Sequence, residues 1–242
     1  MMDLNKFQIP NDGNFPDELI DNSVDDASSG TSVYFRNIKS ALIRQINDAQ
    51  IVLGCVAWLT DAEILAALSR KEAVSLVVQK EDFLRPDLGD KSATFKNNLS
   101  LSYSKLKGGL SRFMFDNILE KVSICMGSEV DAVRCVGNHN RDKLPAFPRM
   151  HNKFLIFCRT KIDFVDMGGG RKESVTKVEP YAVWTGSFNM TKTAGKSLEN
   201  AVLMKNPDVV RAYYKEYGQI CAMSEPLNWQ SDWIEPEWRI GT

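Results

Sequence analysis

The sequence predicts an α/β fold, in which buried strands and amphipathic helices alternate along the chain. Apolar residues recur at helical spacing between residues 33 and 49, and the apolar run QIVLGCVAW follows at residues 50–58. A second helical pattern, DAEILAALSR, then leads into the apolar run AVSLVVQ at residues 73–79. A strand, a helix and a strand in this order favour two parallel strands joined by a right-handed crossover.

Residues that commonly begin helices precede both helical patterns. Ser32 is available as the N-cap of the first helix, because its hydroxyl can accept a backbone N–H. Thr60 and Glu63 match the spacing of a capping box at the start of the second helix. The sequence therefore predicts that the two helices begin directly after Ser32 and Thr60.

The pattern weakens after residue 80 and strengthens again near residue 131. Two helices are predicted near residues 92–107 and 111–124, and DAVRCVG at residues 131–137 reads as a strand. Pro207 is predicted to lie in the first turn of a C-terminal helix that contains DVVRAYYKEYGQICAM.

Three further strands are predicted in the second half of the chain. They are HNKFLIF at residues 151–157, YAVWTG at 181–186 and ENAVLMK at 199–205. The polar segment 159–180, which contains GGGRK, separates the first two strands. It is predicted to be a flexible loop, and a phosphate-binding element is the second interpretation.

Composition indicates a soluble globular chain in a reducing compartment, and we expect a cytoplasmic protein. The chain has 242 residues, of which 43% are hydrophobic, and no stretch approaches the roughly 20 apolar residues of a membrane span. No secretory signal or membrane anchor is visible. The five cysteines lack paired close spacing and fall mostly among apolar neighbours, so we expect core thiols: Cys55, Cys125, Cys135, Cys158 and Cys221.

Charge is distributed unevenly and suggests three regions. Residues 1–30 contain seven acidic residues and Lys6, a net charge of −6, and are predicted to form an acidic, flexible arm. Residues 224–242 contain four acidic residues and Arg239, a net charge of −3, with three tryptophans. Subtracting both from the total of −1 leaves +8 for the predicted catalytic domain, residues 31–223. A basic body suggests a polyanionic partner, and the arm or the tail could bind a further protein.

Five polar residues lie at the starts or ends of neighbouring predicted strands, where sheets of this kind build their sites. They are His151, Lys153, Ser187, Asn189 and Glu199. His151 can attack phosphorus, while Lys153 and Asn189 can bind phosphoryl oxygens. Glu199 can orient the imidazole, and this chemistry requires no metal or other cofactor. Five nearby polar residues are expected to bind substrate: Arg149, Thr191, Lys192, Arg171 and Lys172.

These motifs resemble the phospholipase D superfamily. His151-x-Lys153, Gly186-Ser187-x-Asn189 and Glu199-Asn200 are similar to its branch with one His-x-Lys motif per chain, which includes bacterial endonucleases and cardiolipin-hydrolase-like proteins. The resemblance spans roughly residues 31–223. It implies an α/β/α sandwich around a mixed, largely parallel sheet and a homodimer in which two His-x-Lys motifs share one site. The family pattern has an aspartate where this chain has Cys158.

Other functional classes fit the sequence less well. The spacing of Cys135, His139, His151 and Cys158 matches no common zinc finger. AGKS at residues 194–197 resembles the end of a Walker A loop, but Met190 stands where that motif needs glycine. No G-x-S-x-G motif surrounds Ser187.

Nucleic acid, with DNA favoured over RNA, is the expected substrate. Residues 134–177 contain ten lysines and arginines against four acidic residues. A phospholipid phosphodiesterase and a non-catalytic nucleic-acid-binding subunit of a larger complex remain as alternatives.

Overall fold

The described residues form a mixed sheet of nine strands. The computed structural model describes residues 20–26, 28–81, 84, 93–115, 129–138 and 147–227. The strands of the described chain are β1 Val24–Asp26, β2 Thr31–Tyr34, β3 Ile51–Val56, β4 Ala73–Gln79, β5 Leu110–Ser111, β6 Glu129–Val130, β7 Val133–Val136, β8 Lys153–Asp166, β9 Lys172–Gly186, β10 Ala201–Met204 and β11 Glu225–Pro226.

The strand order in the sheet is β1-β2-β10-β9-β8-β3-β4-β7-β11, while β5 and β6 pair with each other in a separate small sheet. β3 is parallel to β4, and β4 is parallel to β7. The other neighbours within the described sheet are antiparallel. The predicted α/β class and mixed sheet are confirmed, as is the parallel β3–β4 unit, although six of the eight neighbouring pairs in the described sheet are antiparallel.

Helices cover both faces of the sheet. They are α1 Ile38–Asp48, α2 Ala62–Leu68, α3 Ala93–Tyr103 and α4 Pro207–Ala222. α1, α2 and α3 pack with one set of alternating strand residues, which includes Val52, Val56 and Leu155. α4 packs on the opposite face with Ile51, Leu53 and other residues of the second core. Alternating side chains point to opposite faces of a strand, so the continuous apolar runs fill two cores at once.

The predicted starts of the first two helices are wrong. Ser32 lies in β2, where its hydroxyl donates a hydrogen bond to Asp25 Oδ1 at 2.9 Å. α1 begins only after Asn37, whose φ of 51° is left-handed. Thr60 does not cap α2 either, because Asp61 accepts the backbone N–H groups of Glu63 and Ile64. The C-terminal helix does begin at Pro207, as predicted, with Asn206 as its N-cap.

The polar segment 159–180 is a long β-ribbon, not the flexible loop predicted from its composition. Arg159 to Asp166 of β8 pairs in register with Lys172 to Glu179 of β9. The paired backbones satisfy each other's N–H and C=O groups, so the ribbon forms although most of its side chains are exposed. The glycines of GGGRK make the turn at its tip, where Gly168, Gly169 and Gly170 all have positive φ.

Other predictions fall partly outside the described residues. Residues 24–26 of the predicted acidic arm form β1, and residues 225–226 of the predicted tail form β11. The first 19 residues and the three tail tryptophans lie outside the described residues, as do Cys125 and His139. Of the predicted helix at 111–124, the described part is the end of β5 and a 3-10 turn at Arg112–Met114. Cys55, Cys135, Cys158 and Cys221 are buried free thiols, as predicted.

Candidate active site

Several strand ends meet at one edge of the sheet. Val56, the last residue of β3, pairs with Lys153, the first residue of β8. Phe154 pairs in turn with Thr185 near the end of β9, and Gly186 pairs with Ala201 at the start of β10. The loops that carry His151, Ser187 and Glu199 therefore leave the sheet along the same edge.

Backbone contacts fix the segment that carries His151. The N–H of Met150 donates to Gln79 Oε1 at 2.7 Å, and Gln79 Nε2 donates to the carbonyl of Asn138 at 2.8 Å. Gly137 leaves room for this amide, since a Cβ there would lie 2.6 Å from Gln79 Oε1. On the other side, the N–H of Ala57 donates to the carbonyl of Asn152 at 2.8 Å. His151 is thus held between the ends of β3 and β4.

His151 and Lys153 form a close pair. Lys153 Nζ lies 3.4 Å from both ring nitrogens of His151 and donates to its carbonyl oxygen at 3.1 Å. Partial burial, followed by the cations of Lys153 and Arg149, lowers the pKa of His151. Burial also lowers the pKa of Lys153, and the carboxylate of Glu199 acts in the opposite direction. The shift at His151 favours a neutral imidazole, which is the form that can act as a nucleophile.

Ser187, Glu199 and Asn200 are joined by hydrogen bonds. Ser187 Oγ donates to Glu199 Oε2, and it accepts the N–H of Asn200 at 3.0 Å. The N–H of Ser187 donates to Asn200 Oδ1 at 3.1 Å. Gly186 allows this close approach, because a Cβ at that position would lie 2.2 Å from the carbonyl oxygen of Asn200.

The contacts of Glu199 differ from those predicted. Among the described residues its carboxylate accepts a hydrogen bond from Ser187, and none joins it to His151. Its carboxylate instead favours the charged form of Lys153. Within one chain, Glu199 therefore acts on the ammonium and the serine and does not orient the imidazole.

The side-chain amide of Asn189 lacks a full set of hydrogen-bond partners within the described residues. Its Oδ1 is buried and has no hydrogen-bond partner among the described residues. The next residue, Met190, accepts the N–H groups of Thr60 and Asp61, each at 2.9 Å. The loop after β9 is thereby tied to the segment after β3, which keeps Asn189 at the edge where His151 lies.

Trp58 and Glu81 are site residues that the sequence patterns did not single out. The indole of Trp58 lies beside His151, with ring centroids 5.3 Å apart. Glu81 accepts the indole N–H and makes an ion pair with Arg149. Arg149, predicted to bind substrate, is therefore engaged by a carboxylate of its own chain. Their positions in the sequence could have identified them, because Trp58 and Glu81 each follow a buried parallel strand, where α/β sheets build their sites.

A cavity of about 560 Å³ opens beside Glu199. Lys192 and Lys196 line it, together with residues from the starts of α1 and α2. The predicted contact Thr191 stabilises the adjoining turn, because its hydroxyl accepts the N–H of Ala194 at 3.3 Å. Lys192 is thus the predicted binding residue with an exposed side chain beside the site.

Arg171 and Lys172 lie far from His151 within the chain. β8 has 14 residues from Lys153 to Asp166, which spans roughly 40 Å of extended strand, and Lys172 pairs with Asp166 at its far end. Arg171 makes an ion pair with Glu173. The ribbon therefore carries these two residues away from His151 of the same chain, and their contribution to the site stays a prediction.

The basic centre counted in the sequence is not one continuous positive surface. Arg134 is buried and bonds to Ser224 and Asp131, while Lys161 pairs with Glu179. A count along the chain cannot register such pairing. Cys135 and Cys158, considered as zinc ligands, are core thiols, and the described residues contain no group of three or more His, Cys, Asp or Glu placed to hold a metal ion.

Comparison with known proteins identifies a relative. The uncharacterized protein L381 of Acanthamoeba polyphaga mimivirus is 30% identical over 242 residues, which covers 95% of this chain and 75% of the mimivirus protein. The chain belongs to the family of this mimivirus protein. No family model matches the chain.

Solved structures that resemble the chain include phospholipase D family members, the superfamily that the sequence motifs resemble. NucT from Helicobacter pylori is 13% identical with a TM-score of 0.47, and covers 81% of this chain and 98% of its own. The phospholipase D family member Nuc from Salmonella typhimurium is 16% identical with a TM-score of 0.42, covering 81% and 95%. Phosphatidylserine synthase from Haemophilus influenzae is 14% identical with a TM-score of 0.35, covering 79% and 38%.

Within the described part of the chain, no helix combines the length and the apolar character needed to cross a membrane.

Proposed function

We propose that this chain is a metal-independent phosphodiesterase that cleaves nucleic acid, preferentially DNA, through a phosphohistidine intermediate. The observation that carries the proposal is the position of Lys153 Nζ, 3.4 Å from both ring nitrogens of His151. A phosphate bound by this ammonium has its phosphorus within reach of the imidazole. The nucleophile and a cation that stabilises the transition state are thus side by side.

The reaction proceeds in two balanced steps. In the first, the neutral imidazole of His151 attacks phosphorus, a phosphorus–nitrogen bond forms, and the bond to the leaving oxygen breaks. In the second, a water molecule attacks phosphorus, the phosphorus–nitrogen bond breaks, and His151 is released. Lys153 and the amide of Asn189 bind the phosphoryl oxygens, whose negative charge increases in both transition states. Glu199 keeps Lys153 protonated.

The leaving oxygen also needs a proton, and we infer that a second subunit supplies it. The chain has two histidines, and the other one, His139, has no lysine two residues away. In a symmetric dimer, His151 of the partner subunit donates the proton in the first step and accepts one from water in the second. This arrangement accounts for both proton transfers with one His-x-Lys motif per chain.

The cavity beside Glu199 supports a polar substrate. Its walls carry three lysines, Lys39, Lys192 and Lys196, and three acidic residues, Asp61, Glu63 and Glu199. Lys39 is paired with Asp61 and Glu63. An apolar groove would favour a lipid acyl chain, whereas charged walls that include Lys192 and Lys196 suit the phosphate and sugar groups of a nucleic acid strand. This lining favours nucleic acid over phospholipid as the substrate class.

A panel of labelled single- and double-stranded DNA, RNA and cardiolipin vesicles tests the proposal. We expect DNA cleavage by the wild-type chain, none by His151→Ala, and an acid-labile phosphohistidine trapped only in the wild type. Cleavage of cardiolipin alone would support the lipid alternative. Tight DNA binding without cleavage of any substrate would support a non-catalytic subunit. Full DNA cleavage by folded His151→Ala would place the active site elsewhere.

A further inference from the structure

The indole of Trp58 contacts both members of the reacting pair. The rings of Trp58 and His151 have centroids 5.3 Å apart and an interplanar angle of 78°, an edge-to-face arrangement. Lys153 Nζ lies 6.0 Å from the centre of the same indole, within the range of a cation–π contact. One rigid aromatic group therefore touches the imidazole and the ammonium together.

A half-buried ion pair holds the indole in place. Trp58 Nε1 donates to Glu81 Oε1 at 3.1 Å, and Arg149 pairs with the same oxygen. The side chains of Glu81 and Arg149 are 14% and 21% exposed, so water screens this pair only in part. Hydrogen bonds to charged groups in such surroundings are stronger than those between neutral, exposed groups. The orientation of the indole is thus restrained at its polar edge.

The backbone brings these groups together from three strand ends. Trp58 follows β3, Glu81 follows β4, and His151 precedes β8. The N–H of Ala57 donates to the carbonyl of Asn152, which lies between the two reacting residues. The position of Trp58 relative to His151 and Lys153 is therefore set by main-chain hydrogen bonding as well as by side-chain contacts.

We propose that Trp58, held by Glu81 and Arg149, is a positioning residue that keeps the imidazole of His151 and the ammonium of Lys153 in their reactive arrangement. The inference rests on the proposed function of the His151 site and deepens it. His151 is exposed and Lys153 has a flexible side chain, so neither is held by close packing on every side. A displacement of about 1 Å in a catalytic group can lower a rate by roughly 100-fold.

The rate test compares two substitutions of the same residue. Trp58→Ala should lower kcat by about 10- to 100-fold with KM changed less than about twofold, because the indole acts on the chemical step. Trp58→Phe keeps an aromatic ring but lacks the N–H that Glu81 accepts, so it should recover only part of the lost kcat. Tyr181→Ala is the matched control. The ring of Tyr181 stacks with Arg159, whose Cζ lies 4.7 Å from the ring centre, and this pair is away from the site. The substitution should therefore leave kcat unchanged. A raised KM at wild-type kcat in Trp58→Ala would overturn the proposal and indicate substrate stacking.

A measurement that does not depend on activity follows the imidazole directly. The chain has two histidines, so an NMR titration gives two imidazole signals, and His151→Ala assigns them. Burial is the main cause of the lowered pKa of His151, so this pKa should rise toward its ordinary value in Trp58→Ala. In Trp58→Phe, which keeps a ring beside the imidazole, the pKa of His151 should stay lowered. Lys153, Arg149 and Glu199 are unchanged in both variants, so the difference reports the ring. An unshifted pKa together with wild-type kcat, in a Trp58→Ala chain with an unchanged Tm, would overturn the proposal.

A double substitution tests whether Glu81 acts through the indole. Glu81→Ala should lower kcat, and Trp58→Ala/Glu81→Ala should be within about twofold of Trp58→Ala alone. Additive losses would show that Glu81 acts independently of Trp58 and would overturn the anchoring step. The proposed function itself would fail in a different experiment: an active His151→Ala chain would show that His151 is not the nucleophile. The Trp58 and Glu81 variants test only the positioning role.

Discussion

Lys153 Nζ lies equally close to Nδ1 and Nε2 of His151, at 3.4 Å from each. Two cations at this separation repel each other, so the pair favours an ammonium beside a neutral imidazole. The ammonium attracts a phosphate to the position where the imidazole can attack it. The same cation thus helps to set the protonation state of the proposed nucleophile and to bind its target.

Replacing Lys153 by Ala should lower turnover by roughly 100-fold or more, because a group that stabilises the phosphoryl oxygens is removed. Asn189→Ala should act in the same direction but less severely. The pKa of His151 should rise in Lys153→Ala, because the nearby cation is lost. Steady-state rates and an NMR titration measure the two effects. Lys161→Ala, whose ammonium pairs with Glu179 on the ribbon, is the control and should have no effect on turnover. Normal turnover in a folded Lys153→Ala chain would contradict the mechanism.

Glu199→Gln should shift the alkaline limb of the pH–rate profile to lower pH. The Glu199 carboxylate raises the pKa of Lys153, so without its charge the ammonium loses its proton at lower pH. The amide oxygen can still accept the hydrogen bond from Ser187, so Tm should change little. Glu63→Gln, which alters another acid of the same cavity, should leave the limb in place. A Glu199→Gln profile that superimposes on the wild-type profile would remove this residue from the site.

Activity should survive excess EDTA, because the groups assigned to catalysis are an imidazole, an ammonium and a carboxamide. The measurement is the cleavage rate of labelled DNA before and after chelation, with a magnesium-dependent nuclease as the control. Loss of cleavage on chelation, restored by added magnesium, would replace this mechanism with a metal-assisted one.

Binding of DNA should weaken steeply with salt, and part of that dependence should come from the cavity beside Glu199. Lys192→Ala and Lys196→Ala should each reduce the slope of log affinity against log salt concentration by about one, if each lysine contacts a phosphate. Lys205→Ala is the control, since Lys205 follows the opposite end of β10. Equal slopes in all three variants and the wild type would show that DNA does not follow this cavity.

Mixed dimers of wild-type and His151→Ala chains should be severely impaired, because each shared site needs one imidazole as nucleophile and the other as acid. Differently tagged chains allow the mixed species to be purified and assayed. His151→Ala homodimers should still assemble and bind DNA. Mixed dimers with half the wild-type rate, or a fully active monomer at high dilution, would show that each chain contains a complete site.

Local sequence patterns were sufficient for the elements whose side chains determine their structure. β4 occupies residues 73–79 as predicted. A continuous apolar run can bury the side chains on both faces of a strand only in the middle of a sheet that is covered on both sides. The pairing of His151 with Lys153, and the position of Ser187 just after a strand, also follow from spacing along single segments. Helix starts were predicted less well: Ser32 resembles an N-cap locally, yet β2 pairs with β10 about 170 residues later in the chain.

The sequence by itself determined the α/β class, the buried strands and the residue types that can act on a phosphodiester. The tertiary structure alone decided that residues 159–180 form a ribbon, since backbone pairing between two polar segments leaves no apolar periodicity to detect. It also decided that Trp58, Glu81 and Arg149 meet beside His151. Each of these follows or precedes a different strand, and their contact depends on strand order and register, which no single segment encodes.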